Sequence, residues 1–72
     1  MKVYVYTFFD KDSGYVQTNV YKNKQTAVEA AVADFADNHD DGIEEMQDQI
    51  NDYGRYDEER ARYTIEIKNL LG

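Results

Sequence analysis

Residues 2–9 read KVYVYTFF, so that Val3, Val5, Thr7 and Phe9 alternate with Tyr4, Tyr6 and Phe8. Every residue after Lys2 in this stretch is β-branched or aromatic, and a period of two is that of a strand with two unlike faces. Asp10-Lys11-Asp12-Ser13-Gly14 then supplies turn formers, and Tyr15 to Tyr21 alternates again with Val16, Thr18 and Val20 on one side. The pattern predicts a β-hairpin. For Val16 and Val20 to share a face with Val3 and Val5 the loop must enclose an even number of residues, Lys11 to Gly14, because a shift of one residue moves Gln17 and Asn19 onto that face instead. The aliphatic side is therefore the one expected to meet the rest of the fold.

Downstream the period lengthens. Val28, Ala31, Val32 and Phe35 fall at i, i+3, i+4 and i+7 of an Ala-rich segment with no breaker before Asn38, which predicts a helix with one apolar stripe. Its start is either Asn23 or the Thr26/Glu29 capping box. Asp41-Gly42-Ile43-Glu44 reads as a second cap, and Ile43, Met46, Ile50 and Tyr53 mark a second, narrower stripe ending at Gly54. Arg55 to Arg60 reads as a charged connection. Tyr63, Ile65 and Ile67 alternate with Arg62, Thr64, Glu66 and Lys68 ahead of Leu70 and Leu71, which is the pattern of a third strand. The expected architecture is an α+β domain, ββααβ, with a three-stranded, largely antiparallel sheet and two helices packed on one face.

Seventy-two residues accommodate one hydrophobic core, so residues 1–72 are expected to form a single acidic domain. The apolar content of 42%, with 7 Tyr and 3 Phe, suffices for packing despite a mean hydropathy of −0.84. There is no Cys, hence no disulfide, thiolate site or thiol nucleophile. No apolar run near the length of a membrane span and no secretory leader is legible, and a cytoplasmic location follows as the expectation, in the host cell if the chain is phage-encoded.

The net charge of −7 opposes direct binding to nucleic acid or anionic membrane, both of which require Lys and Arg against phosphate. Its distribution is more informative than its size. Between Lys24 and Arg55 the chain has neither Lys nor Arg, while Glu29, Asp34, Asp37, Asp40, Asp41, Glu44, Glu45, Asp48 and Asp52 lie inside that interval. The negative charge belongs to the helices. At 100° per residue Asp41, Glu45, Asp48 and Asp52 fall within about 60° of one another and opposite the apolar stripe. Pairs such as Glu44/Asp48 and Asp48/Asp52 repel, and Asp52 sits at the unfavourable end of the helix dipole. Carboxylates spaced about 4.5 to 6 Å along an axis resemble a short run of backbone phosphates offered to a basic groove. The competing account is a solvated face that confers solubility. Glu58 and Glu59 extend the candidate patch, which comprises Asp37, Asp40, Asp41, Glu44, Glu45, Asp48, Asp52, Glu58 and Glu59.

Catalytic and metal motifs are poorly served. Asp37, His39, Asp41, Gly42 and Asp48 occupy positions 1, 3, 5, 6 and 12 of a calcium-loop template, but His at 3, Asp at 12 and Glu44 at 8 depart from it, and a capped interhelical turn is the preferred account. His39 is the sole His, no nucleophile triad can be assembled, and no Gly-rich phosphate loop is present. No catalytic residue, metal or cofactor is expected.

With the valine face turned to the helices, Tyr4, Tyr6, Phe8, Tyr15 and Tyr21 would lie on the opposite face, a candidate second interface for a homodimer or an adaptor function. The Lys-Val-Tyr-Val-Tyr opening strand, the acidic helical middle from Glu29 to Glu59 and the lack of a catalytic inventory together resemble small phage or mobile-element proteins of the anti-CRISPR and anti-restriction kind. That resemblance implies a non-enzymatic inhibitor that occupies the nucleic-acid groove of a host defence complex, such as a CRISPR-Cas effector. Its partner would be a basic nucleic-acid-binding protein or complex.

Overall fold

The computed structural model describes residues 1–70; Leu71, noted above at the end of the last strand, lies outside them, as does Gly72. Six elements follow in the order β1 (Lys2–Asp10), β2 (Val16–Tyr21), α1 (Lys24–Asn38), α2 (Ile43–Tyr53), β3 (Arg55–Asp57) and β4 (Ala61–Asn69). The strands form one antiparallel sheet in the order β2-β1-β4-β3. The α+β class, the two helices and the antiparallel pairing agree with expectation, but the sheet has four strands and the order is ββααββ. The additional strand is Arg55-Tyr56-Asp57, whose charged flanks hide any alternation, and it pairs Tyr56 with Tyr63 on β4. Among the described residues no helix is long and apolar enough to cross a membrane.

The hairpin has the expected register. Val5 faces Val20 and Phe9 faces Val16 across a Lys11–Gly14 loop, closed by the Gly14 N–H donating to the Asp10 carbonyl at 2.8 Å. The Asp12 N–H and the Ser13 hydroxyl each donate to the Asp10 carboxylate at 3.0 Å and hold its pKa below the usual range.

The face presented to the helices is the reverse of the expected one. Tyr6 is buried in the core, with Tyr4, Phe8 and Tyr21 packed against it half-buried, while Val16 and Val20 are exposed. Strand β4 explains this outcome. Its register sets Ile67, Ile65 and Tyr63 opposite Tyr4, Tyr6 and Phe8, so the valine parity would have put Arg62, Thr64, Glu66 and Lys68 beneath the helices. Helix α1 also favours the aromatic side, since Ala27 and Ala31 are fully buried and leave space that large sheet side chains fill. The expected aromatic interface of Tyr4, Tyr6, Phe8, Tyr15 and Tyr21 is thus corrected: of the five only Tyr15, 55% exposed and outside β2, is a surface residue. Gln17 and Asn19 share the helix side but remain exposed on the edge strand, so neither loses its hydration.

Asn23 is the α1 N-cap, its side-chain oxygen accepting from the Thr26 N–H at 2.8 Å, which decides between the two candidate starts. Met46 and Ile50 are the buried residues of α2, Ile43 is half-buried, and Tyr53, expected in the stripe, is 78% exposed. Gly54 ends α2 in the left-handed conformation at φ 70°, its N–H donating to the Ile50 carbonyl at 3.0 Å. A Cβ at Gly54 would also lie 2.9 Å from the Ile65 carbonyl oxygen, a backbone atom fixed in the sheet. Gly54→Ala should therefore destabilise by about 1–3 kcal/mol. Gly14→Ala, which meets nothing within 4 Å, should show only the left-handed strain. Urea melts of both variants compare the two costs, and equal losses would contradict the close approach at Gly54.

A buried tyrosine ties the layers. The Tyr6 hydroxyl donates to Asp34 on α1 at 2.8 Å. Burial, followed by the neighbouring Asp34 carboxylate, pushes the Tyr6 pKa far above the ordinary phenol value, and burial pushes Tyr63 up to about 12. Both shifts favour the neutral phenol in the folded state, so this stability is complete below about pH 10 and is lost as pH rises through the folded values. In an absorbance titration at 295 nm, Tyr6 and Tyr63 should ionise only as circular dichroism reports unfolding. Tyr6→Phe should remove one of those two late phenols, and complete ionisation with the fold intact would contradict their burial.

Candidate acidic interface

Eight of the nine acidic positions singled out in the sequence, Asp37, Asp40, Asp41, Glu44, Glu45, Asp48, Asp52 and Glu59, are exposed. Glu58 is not a free member of the patch. Its carboxylate lies 2.9 Å from His39 Nε2 and is only 17% exposed. His39 caps the end of α1, its Nδ1 lying 3.0 Å from the Phe35 carbonyl oxygen and its ring stacked on Phe35 at 4.0 Å. The lone histidine is therefore a clasp between α1 and the β3–β4 turn, turned away from a calcium-type loop. Among the described residues no group of three or more His, Asp or Glu is arranged to hold a metal ion.

Asp41 departs from its expected position. Gly42 is the α2 N-cap, left-handed at φ 80°, and makes no side-chain cap bond, which leaves Asp41 in the loop before the helix. The carboxylate row on α2 itself is Glu44, Glu45, Asp48 and Asp52, on the side away from Met46 and Ile50. Along the axis Glu45, Asp48 and Asp52 are separated by about 4.5 and 6 Å. Glu44 and Glu45 suit the positive end of the helix dipole, whereas Asp52 lies at the negative end, where α2 has no basic residue of its own and the Lys24 ammonium of α1 donates to the Asn51 carbonyl at 2.8 Å.

The ion pairs reveal how the charge is partitioned. Lys11, Arg55 and Arg62 converge on Asp57, Lys68 pairs with Glu66 at 3.2 Å, and Arg60 lies 3.9 Å from Asp12. All of these lie on strands β3 and β4 or in the β1–β2 and β3–β4 turns. Hydrogen bonds from Lys11 and Arg55 hold the Asp57 carboxyl well below the usual carboxylate range, with the Arg62 charge adding to them. Among the described residues no carboxylate of α1, α2 or the loop between them lies within ion-pair distance of a Lys or Arg; Asp34 accepts from Tyr6, and Glu45 accepts from Gln49 at 3.4 Å. Lys11, Arg55, Arg60, Arg62 and Lys68 are thus engaged by acids of the sheet and its turns, and the one cation that reaches the helical acids' side among these contacts, Lys24, bonds the Asn51 carbonyl and no carboxylate.

Sequence reasoning missed Asp57. Its partners come from the hairpin loop and two strands, and only the pairing of Asp57 with Arg62 was in principle visible as a hairpin contact. It also missed Asp34 as the tie to Tyr6, because the side of β1 that carries Tyr6 was assigned to solvent. Comparison with protein-family models, curated proteins and solved structures found no match.

Proposed function

We propose that this chain is a non-enzymatic binding protein whose acidic helical surface imitates nucleic-acid phosphates and occupies the basic groove of a nucleic-acid-binding partner. The observation that carries the proposal is the row Glu44, Glu45, Asp48 and Asp52, exposed on one helix with no cation of its own chain within ion-pair distance among the described residues. A coat serving only solubility gains nothing from like charges at i and i+4, each pair costing about 0.2–0.5 kcal/mol. A surface selected to meet Lys and Arg gains from every one of them. Asp37, Asp40, Asp41 and Glu59 flank the row as exposed carboxylates, whereas Glu58 serves the fold.

A phage-type inhibitor of a host defence complex, such as a CRISPR-Cas effector, acting in the host cytoplasm, is the specific form of this proposal. The alternative of an adaptor docking through an aromatic sheet face is set aside because that face is the core. The test is capture from bacterial lysate at low salt followed by a salt gradient, since contacts between exposed charges weaken as the screening length falls from about 10 Å at 0.1 M to about 3 Å at 1 M. Elution of a basic nucleic-acid-binding protein at moderate salt is the expected result. Retention that ignores salt would refute phosphate mimicry.

A further inference from the structure

The two edges of the sheet are built differently. Edge strand β3 is 3 residues long and carries Arg55 and Asp57, and both shortness and charge discourage pairing with another chain. Edge strand β2 is 6 residues of Val-Gln-Thr-Asn-Val-Tyr, with no charge, no proline and a continuous register to β1. Nothing in it guards against a further strand.

Its hydrogen-bonding groups can be assigned. The Asp10 N–H donates to the Tyr15 carbonyl at 2.8 Å, and hydrogen-bonded pairs alternate along an antiparallel ladder. Gln17, Asn19 and Tyr21 therefore exchange bonds with β1, and Val16, Thr18 and Val20 turn their N–H and C=O groups outward. The same residues put their side chains on the helix-free face, where the Thr18 hydroxyl lies 3.4 Å from that of Thr7 and Val16 and Val20 are 55% and 61% exposed.

We propose that β2 pairs antiparallel with β2 of a second copy of this chain about a two-fold axis at Thr18, joining two four-stranded sheets into one of eight strands. This register places outward-facing backbone groups opposite each other at Thr18–Thr18 and Val16–Val20, the combination that closes a ladder. It also keeps the helices of both copies on one side, with Tyr15 of one copy opposite Tyr21 of the other. On the open side each exposed Val16 gains the other copy's Val20 as a cross-strand neighbour.

Charge complementarity selects a second copy as the occupant. Antiparallel pairing brings the exposed Lys22, just after β2, beside the other copy's Asp12-Ser13-Gly14 turn just before its β2, twice over. The α2 carboxylates do not oppose the union, because α2 packs over β3 and β4, about 10–14 Å from the β2 edge at ordinary strand spacing. Asp34 and Asp37 share a depression with Gln17 and are the helical acids near this edge, and Asp34 is held by the Tyr6 hydroxyl.

The test is mass measurement by light scattering over a concentration series up to about 1 mM. Wild type should move from 8.4 kDa toward twice that mass. Thr18→Lys, which sets two ammonium groups facing each other on the axis, should stay monomeric with unchanged circular dichroism. If Thr18→Lys fails to fold, Thr18→Cys decides, since the wild-type chain has no Cys and residue 18 faces only itself across the axis. Oxidation should link Thr18→Cys into a covalent dimer far faster than an exposed Glu59→Cys control. A wild type monomeric throughout, a dimer untouched by Thr18→Lys, or Thr18→Cys linking no faster than the control would each overturn the proposal.

Discussion

Phe35→Ala should destabilise the fold by about 3–5 kcal/mol, against about 4–11 kcal/mol of total stability for a chain of this length. Phe35 is 2% exposed and stands where four segments meet. Its ring stacks on His39 at 4.0 Å and meets Tyr56 and Tyr63 edge-on at 5.5 and 5.8 Å. Gly42, the α2 cap, lies close enough that an added Cβ would sit 3.9 Å from the Phe35 ring. Truncation removes the contact that seats the α1 terminus, the α2 entry and the short β3 strand together. Because the cavity opens among large aromatic rings, neighbours close it poorly. Phe35→Leu, which retains most of the volume, should cost about 1.5 kcal/mol or less. Urea midpoints of the two variants measure the contrast, and a loss under about 1 kcal/mol for Phe35→Ala would mean the junction does not hold the domain together.

The triple variant Glu45→Gln/Asp48→Asn/Asp52→Asn should move stability and binding in opposite directions. Neutralising these positions relieves the Asp48/Asp52 and Glu44/Asp48 repulsions and removes Asp52 from the negative end of the helix dipole. Stability should rise by roughly 0.5 kcal/mol net, because losing Glu45 from the positive end of the dipole offsets part of the gain. Affinity for the captured partner should fall by roughly 2 kcal/mol or more, about thirtyfold in Kd. The amides keep size and hydrogen-bonding capacity, so the change isolates charge. A variant that binds as before would assign the acidic row to solubility.

The sequence displayed the hairpin register, the α1 stripe, the Ile43, Met46 and Ile50 part of the α2 stripe and the Gly54 stop because each rests on local spacing, whereas Tyr53 falls outside the packed stripe. The choice of sheet face was different. The β1 alternation offers two apolar faces, Val3/Val5/Phe9 and Tyr4/Tyr6/Phe8, and nothing within β1 ranks them. The ranking comes from β4, whose second face is charged and whose pairing with β1 spans most of the chain. Strand β3 escaped notice because three residues are too few to display a period, and its partner Tyr63 lies beyond the Glu58-Glu59-Arg60 turn. For the acidic site, the gap in basic residues between Lys24 and Arg55 was legible directly. The subtraction of Glu58 was not, since its pairing with His39 depends on the β3–β4 turn folding back against the end of α1.

Phosphate mimicry is tested most directly by displacement. With the captured partner held on immobilised protein at constant low salt, duplex DNA and single-stranded RNA are titrated in, and the released partner is quantified. The account predicts that one of these nucleic acids displaces the partner competitively, and that the triple variant retains too little of it to displace. A partner that binds this chain and nucleic acid simultaneously, released by neither DNA nor RNA, would contradict it.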